Sequence, residues 1–235
     1  MIEACPSAQT HLLWLKLKMI EPQSNHLPWH HYLIHIYFQL IYFHFRQALH
    51  FQARRNLCFH NYLSFEAYRR IENGMADLAL ISNHRYAKDV ITLPAFREPF
   101  VLLCGADCKV GKPPTPTQLN PANEVRLPWS PEYDIWHERW FDASIEPNVT
   151  LDHMPLLKDF LTGENWAVVP LTVARRMENS RIFSYPLRQG PEERIIYYLV
   201  PQRPKEGPIH DFLKLLHQEL LLFDGVESFL AKGLA

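Results

Sequence analysis

The chain has 235 residues, of which 47% are hydrophobic and 21% are charged, as is ordinary for a globular protein. This length suffices for one large domain or two small lobes with cores of their own. The formal net charge of -1 gives no overall indication of binding to nucleic acid or to an anionic membrane. No apolar stretch is long enough to cross a bilayer, so we expect no membrane span. The cysteines are few and no secretory signal precedes them, which favours a reducing cytoplasm.

Residues 1–55 differ in character from the rest of the chain. None of the eight glycines precedes Gly74, and eight of the 13 histidines lie within the first 60 residues. Folded α/β units normally separate strands from helices with Gly, Asn, Asp or Ser, and this segment hardly does so. We therefore treat residues 1–55 as an atypical histidine- and aromatic-rich segment. It is either disordered, divergent or translated from a shifted reading frame.

Residues 56–82 are predicted to form a β-α-β unit. A short strand begins at about residue 56, and Ser64 is predicted to cap the helix that follows it. Gly74 is predicted to end this helix, because glycine adopts the left-handed conformation at little cost. The apolar run ADLALIS then predicts a strand that is buried on both faces.

Strands and helices are predicted to alternate along the rest of the chain. Ser130-Pro131 is a typical helix start. The segments RIFSYPL and ERIIYYLVP are predicted to form a hairpin-like pair. This alternation predicts a parallel-rich α/β sheet. The predicted strands lie at about 99–104, 124–129, 147–154 and 165–170, and the predicted helices at 130–144, 155–164, 171–177 and 207–223.

The order of three segments resembles the effector-binding domain of LysR-type transcriptional regulators. The segments are SFEAYRRIENGMADLALIS, REPFVLLCGAD and VTLDHMPLLKDFLTGENWAVVPLTVA. In that family a helix ends in Gly-x-x-Asp before an apolar strand, as at Gly74 and Asp77. Later a helix ends near a glycine, here Gly163, and the apolar strand after it closes in proline, here Pro170. The resemblance covers residues 56–222.

This resemblance implies an α/β fold of two lobes, like type 2 periplasmic binding proteins, with a ligand cleft between the lobes. Lobe I is expected at about residues 56–98 plus a C-terminal part, and lobe II at about residues 99–200. The family's winged helix-turn-helix and linker helix are not recognisable in residues 1–55. DNA binding is therefore expected only through a helix-turn-helix domain that this chain lacks. A homodimer or tetramer is a further expectation from the family.

The resemblance also implies an effector site at strand ends and helix starts. General physical chemistry agrees, because ligands of open α/β sheets bind outside the carboxyl ends of the strands. Helix N-termini there offer free N–H groups and partial positive charge, which suit an anion. We therefore expect a small anionic metabolite as effector. The candidate contacts are Ser64, Ser82, Asn83, Trp129, Ser130, His153, Met154, Leu171 and Thr172.

Two motifs suggest other chemistry, each beside a simpler interpretation. The histidines at 26, 30, 31 and 35 have spacings seen in metal sites, but their aromatic surroundings favour packing or disorder over zinc. Cys104 and Cys108 could form a redox pair. Since no partner pair follows downstream, a strand-end cysteine plus a loop cysteine is the simpler interpretation.

Three classes of function are compatible with the sequence. The ligand-sensing domain of a LysR-type regulator leads. A stand-alone small-molecule binding protein of the same fold is the alternative, although residues 1–20 make a poor signal peptide because Lys16 and Lys18 interrupt the apolar run. No nucleophile–base pair, phosphate loop or metal motif supports an enzyme. We therefore expect no catalytic residue, no metal and no cofactor.

Overall fold

The computed structural model describes residues 29–34, 56–60, 62–108, 110–111, 113–204 and 207–233. The interpretation of residues 1–28 and 35–55 as disordered, divergent or frame-shifted lies outside this range. The same holds for the histidine cluster, since His26 and His35 fall in those segments and the side chains of His30 and His31 are not described. Within the described part of the chain, no helix is long and apolar enough to cross a membrane.

The described residues form both strands and helices, but the predicted alternation is incomplete, since three strands within residues 78–105 and two within residues 182–201 follow one another without a helix between them. The strands are β1 Trp29–Ile34, β2 Asn56–His60, β3 Leu78–Ile81, β4 Val90–Glu98, β5 Phe100–Gly105, β6 Val125–Arg126, β7 Val149–Thr150, β8 Trp166–Pro170, β9 Ile182–Pro186, β10 Arg194–Pro201 and β11 Glu227–Ser228. The α-helices are α1 Ser64–Glu72, α2 Pro131–Trp140, α3 Leu157–Phe160, α4 Leu171–Met177 and α5 Pro208–Leu220. Short 3-10 turns lie at Pro116–Gln118, Pro121–Asn123, Met154–Leu156 and Leu230–Gly233.

Lobe I is built around a six-stranded sheet with the order β11-β4-β10-β3-β1-β2. Central strand β3 packs on both sides, which explains why all four of its residues are apolar and buried. Leu78 and Leu80 pack with side chains of α5, whereas Ala79 and Ile81 pack with side chains of α1. Since side chains alternate between the faces of a strand, the uninterrupted apolar run reflects a sheet covered on both faces.

Lobe II contains a three-stranded sheet, β8-β5-β9, and the short parallel pair β6-β7. Its core is continuous and rich in aromatic side chains. A buried polar pair lies inside this core, with His137 Nε2 of α2 2.7 Å from Glu124 Oε2. Glu124 also forms a parallel bridge to Trp166, which aligns β6 with β8.

Two predictions about strand pairing are wrong. The sheets are mixed rather than parallel-rich, since β4, β5, β8, β9, β10 and β11 pair in antiparallel fashion. The segments predicted as a hairpin are β9 and β10, but β9 pairs with β5 in lobe II and β10 pairs with β3 and β4 in lobe I. Between β9 and β10 the chain returns from lobe II to lobe I, and the local sequence gives no signal of that crossing.

The predicted N-cap of α1 is wrong, whereas its predicted C-terminal end is confirmed. Ser64 is not the N-cap, because the helix begins at Ser64 itself and its N-cap is Leu63, without a side-chain cap. The carbonyl oxygen of the extended Leu63 accepts the N–H groups of Glu66 and Ala67. Gly74 is confirmed as the C-terminal stop, with φ of +66°. The Gly74 N–H donates to Ile71 O and the Met75 N–H donates to Arg70 O, the hydrogen-bond pattern of a Schellman motif.

We expect Gly74→Ala to lower the free energy of unfolding by about 1 kcal/mol, because the left-handed conformation is less favourable for alanine than for glycine. Steric clash adds nothing, since no atom lies within 4 Å of a Cβ at this position. Gly74→Asn is the matched control and should lose less, because asparagine tolerates this region better. Urea unfolding of the three proteins measures the difference. An alanine variant as stable as the parent would contradict this account of the helix end.

Candidate functional site

The lobe I part of the candidate site lies at one edge of its sheet. Strands β1, β2 and β3 are parallel, so their carboxyl ends meet at that edge. Ser64 begins the helix after β2, while Ser82 and Asn83 follow β3 directly. Ser64 and Ser82 are half-buried and Asn83 is exposed. The topology therefore brings these three predicted contacts to the same edge.

Arg85, which sequence reasoning missed, lies at the same edge. Its backbone N–H donates to the hydroxyl of Tyr68 at 2.9 Å, and its guanidinium carbon lies 4.8 Å from the centre of the Tyr68 ring. The guanidinium Nη2 also lies 3.4 Å from the carbonyl oxygen of Phe65, in the first turn of α1. The loop after β3 thus places a cation beside the first turn of α1, which begins at Ser64. A basic residue shortly after a polar strand end is the only sequence signal for it.

The lobe II part of the candidate site lies at a matching edge. Strands β6 and β7 are parallel, and the Glu124–Trp166 bridge gives β8 the same direction. The predicted contacts follow the carboxyl ends of these three strands in pairs. These are Trp129 with Ser130 after β6, His153 with Met154 after β7, and Leu171 with Thr172 after β8.

These six residues differ in what they can offer to a ligand. Ser130 is confirmed as the N-cap of α2, because its Oγ accepts the Tyr133 N–H at 3.2 Å. Ser130 and His153 are half-buried and keep some solvent-accessible surface. The other four side chains, of Trp129, Met154, Leu171 and Thr172, are buried.

A fully buried carboxylate, that of Glu98, connects the two lobes. Glu98 ends β4, immediately before the chain crosses into lobe II. Its Oε1 accepts two hydrogen bonds from the Arg194 guanidinium, at 2.8 and 2.6 Å, and its Oε2 accepts the Thr172 N–H at 2.8 Å. The same guanidinium lies 5.6 Å from the Trp129 ring. The two crossing segments and the start of α4 therefore meet at one charged group, which sequence reasoning also missed.

This arrangement corrects the expectation of free N–H groups at the start of α4. The Leu171 N–H donates to Pro99 O at 2.9 Å, and the Thr172 N–H donates to the Glu98 carboxylate. The protein's own anion thus occupies the position that would otherwise attract a ligand anion.

We expect Glu98→Gln to lower the free energy of unfolding by about 3 kcal/mol or more, because it leaves Arg194 without its buried counter-charge. Arg97→Ala is the matched control on the same strand. Arg97 pairs with Glu193 and Glu227 but is about half exposed, so its loss should cost less than about 1 kcal/mol. Chemical denaturation compares the variants. Equal losses would show that Glu98 is no more important than a surface ion pair.

Comparisons with known proteins agree with this architecture. The reduced form of the OxyR regulatory domain from Pseudomonas aeruginosa is similar, with a TM-score of 0.64 at 17% identity over 83% of this chain and 95% of that one. An OxyR2 regulatory domain variant from Vibrio vulnificus gives a TM-score of 0.66 at 11% identity, over 86% and 100%. A sulfate-bound form of that domain gives 0.63 at 11%, over 83% and 97%. No curated protein matches this sequence.

At these identities the solved structures establish the fold, which is the two-lobed arrangement of periplasmic binding proteins that the sequence predicts. Family membership rests on the sequence itself. Residues 56–221 match the model described as LysR substrate binding domain. Since the match spans more than half of the chain, this protein belongs to the LysR substrate binding domain family.

Proposed function

We propose that this chain is the ligand-sensing domain of a LysR-type transcriptional regulator and binds a small anionic metabolite between its lobes. The observation that carries the proposal is the placement of polar residues after the carboxyl ends of parallel strands in both lobes. The lobe I contacts are Ser64, Ser82, Asn83 and Arg85. The lobe II contacts are Ser130 and His153, backed by the buried Trp129, Met154, Leu171 and Thr172.

The anionic character of the ligand is inferred from the charges at the lobe I edge. Arg85 is exposed and lies beside the first turn of α1, where the helix dipole also favours a negative group. The hydroxyls of Ser64 and Ser82 can donate to the same group. The sulfate-bound relative makes inorganic sulfate a reasonable first probe for such a site.

In this proposal the ligand shifts the balance between lobe orientations. A ligand that contacts both lobes favours the orientation in which both sets of contacts form, by its difference in affinity for the two states. The Glu98–Arg194 pair lies where the chain crosses between the lobes, so the reorientation is transmitted around it. In a cytoplasmic homodimer or tetramer, this movement would reposition helix-turn-helix domains on DNA and so control transcription.

Binding experiments test the site directly. Sulfate and a panel of small carboxylates are screened by thermal shift, and the ligands found are measured by calorimetry. We expect Arg85→Gln to weaken binding by about ten- to a hundredfold, because a hydrogen bond to a charged group contributes about 1.5–3 kcal/mol. Ser82→Ala should weaken it several-fold. His153→Ala should also weaken it, since the ligand contacts both lobes.

Arg181→Gln is the charge-matched control. Arg181 is exposed and precedes β9, at the edge of the lobe II sheet opposite Thr172, so its loss should leave affinity unchanged. Binding that is indifferent to the Arg85 and Ser82 substitutions would refute the proposed site. A loss in the lobe I variants together with normal binding by His153→Ala would place the ligand on lobe I alone and refute the interlobe site.

A DNA-binding measurement tests whether the purified chain recognises DNA by itself. Because the family's contacts with DNA come from its helix-turn-helix, we expect the purified chain to show no sequence-specific nanomolar affinity for DNA from its own promoter region. Fluorescence anisotropy at physiological salt measures this. Tight and specific binding by the chain itself would mean that DNA recognition resides in the residues present here.

A further inference from the structure

The end of β5 brings two thiols together in lobe II. Cys104 is the penultimate residue of this strand, and the chain then turns so that the Cys108 N–H donates to Gly105 O at 3.2 Å. In this turn the side-chain thiols of Cys108 and Cys104 form a hydrogen bond. Neither of the two cysteines is in a disulfide. Cys104 lies at a strand end and Cys108 in the loop after it, as the simpler sequence interpretation predicts, and the structure adds the contact between the two thiols.

The surroundings of the pair hold this geometry. The Gly105 N–H donates to Asn165 O at 3.3 Å, and a Cβ on Gly105 would lie 2.8 Å from the carbonyl oxygen of Gly163. The turn is therefore packed closely against the loop before β8. Cys104 is buried, whereas Cys108 packs against the lobe II core and remains partly accessible. A small reagent can therefore reach the Cys108 thiol, whereas the Cys104 thiol is shielded from solvent.

The electrostatics favour Cys108 as the reactive member. The hydrogen bond from Cys104 lowers the pKa of the Cys108 thiol, and this effect exceeds the opposing effects of burial and of the Glu164 carboxylate. A lowered pKa increases the fraction of thiolate near neutral pH, and the thiolate is the nucleophilic form. A buried thiol such as Cys104 reacts slowly with outside reagents but can attack a neighbouring sulfur.

We propose that Cys108 and Cys104 form a reversible intramolecular disulfide, with Cys108 as the peroxide-reactive thiolate and Cys104 as the resolving thiol. The Cys108 thiolate attacks one oxygen of hydrogen peroxide, the O–O bond breaks, and hydroxide leaves to give Cys108 sulfenic acid. The Cys104 sulfur then attacks the Cys108 sulfur. An S–S bond forms, the S–O bond breaks, and the thiol proton leaves with the hydroxyl as water. Two electrons pass from the two thiols to the peroxide.

A single proteolytic fragment reports the reaction. Trypsin cleaves after Arg97 and Lys109, so the peptide EPFVLLCGADCK carries both cysteines and no others. The folded chain is treated with stoichiometric hydrogen peroxide, denatured, alkylated and digested. We expect this peptide to lack two hydrogens and to take up no alkylating agent. Dithiothreitol given before alkylation should restore two alkylation sites. Cys5 and Cys58, in other peptides, serve as internal controls and should stay alkylatable.

Variants separate the two roles. Cys104→Ala should stop at Cys108 sulfenic acid, which dimedone traps, whereas Cys108→Ser should leave Cys104 unreacted. In the unmodified chain, Cys108 should alkylate faster than Cys104. The pH of its half-maximal rate should lie below the ordinary thiol pKa. Two fully alkylated cysteines after peroxide, or preferential oxidation of Cys5 or Cys58, would overturn the proposal.

The outcome is independent of the proposed effector site. Cys104 pairs with Trp166 at the amino end of β8, opposite the edge that carries Thr172. Mass spectrometry of the cysteine peptide reads out the thiols without any ligand. Failure of the redox pair would therefore leave the binding experiments unaffected, and the reverse also holds.

Discussion

The buried carboxylate of Glu98 is the interaction on which the rest of this structure depends. It lies where β4 ends and the chain crosses into lobe II, and it receives hydrogen bonds from Arg194 and from the Thr172 backbone. A carboxylate without exposure to water is tolerable only when nearly all of its hydrogen-bonding capacity is used. Both crossing segments and the start of α4 must therefore keep their positions together, and this fixes the region where the chain passes between the lobes.

Strand direction then determines where the candidate contact residues of each lobe lie. In lobe I the parallel strands β1, β2 and β3 end at one edge, and in lobe II β6, β7 and β8 do the same. Antiparallel pairs form the rest of the two larger sheets, and they include β4, β5, β9 and β10, between which the chain crosses from one lobe to the other. The loops that follow parallel strands all lie at the same edge of the sheet, so residues distant in sequence become neighbours there. This is why Ser64 and Ser82 share an edge although a helix separates them.

Charge is divided unevenly between the two edges. At the lobe II edge, the Thr172 N–H at the start of α4 donates to the Glu98 carboxylate. This carboxylate already compensates the partial positive charge at the start of the helix. At the lobe I edge, Arg85 lies against the first turn of α1 and remains exposed. The proposed anion is therefore expected to be held chiefly by lobe I, with His153 and Ser130 closing on its other side. The thiol pair lies at the far edge of lobe II, where it affects neither set of contacts directly.

The sequence by itself determined the local elements of this protein. Gly74 fixed the end of α1, Ser130 and Pro131 fixed the start of α2, and the apolar runs marked β3, β5 and β8, because backbone conformation and two-sided burial are written in neighbouring residues. The tertiary structure decided the rest. The pairing of β9 and β10 in different lobes, the Glu98–Arg194 pair and the approach of Arg85 to α1 join residues through the path of the chain. A single sequence carries no local signal for contacts whose partners are chosen by packing across the whole fold.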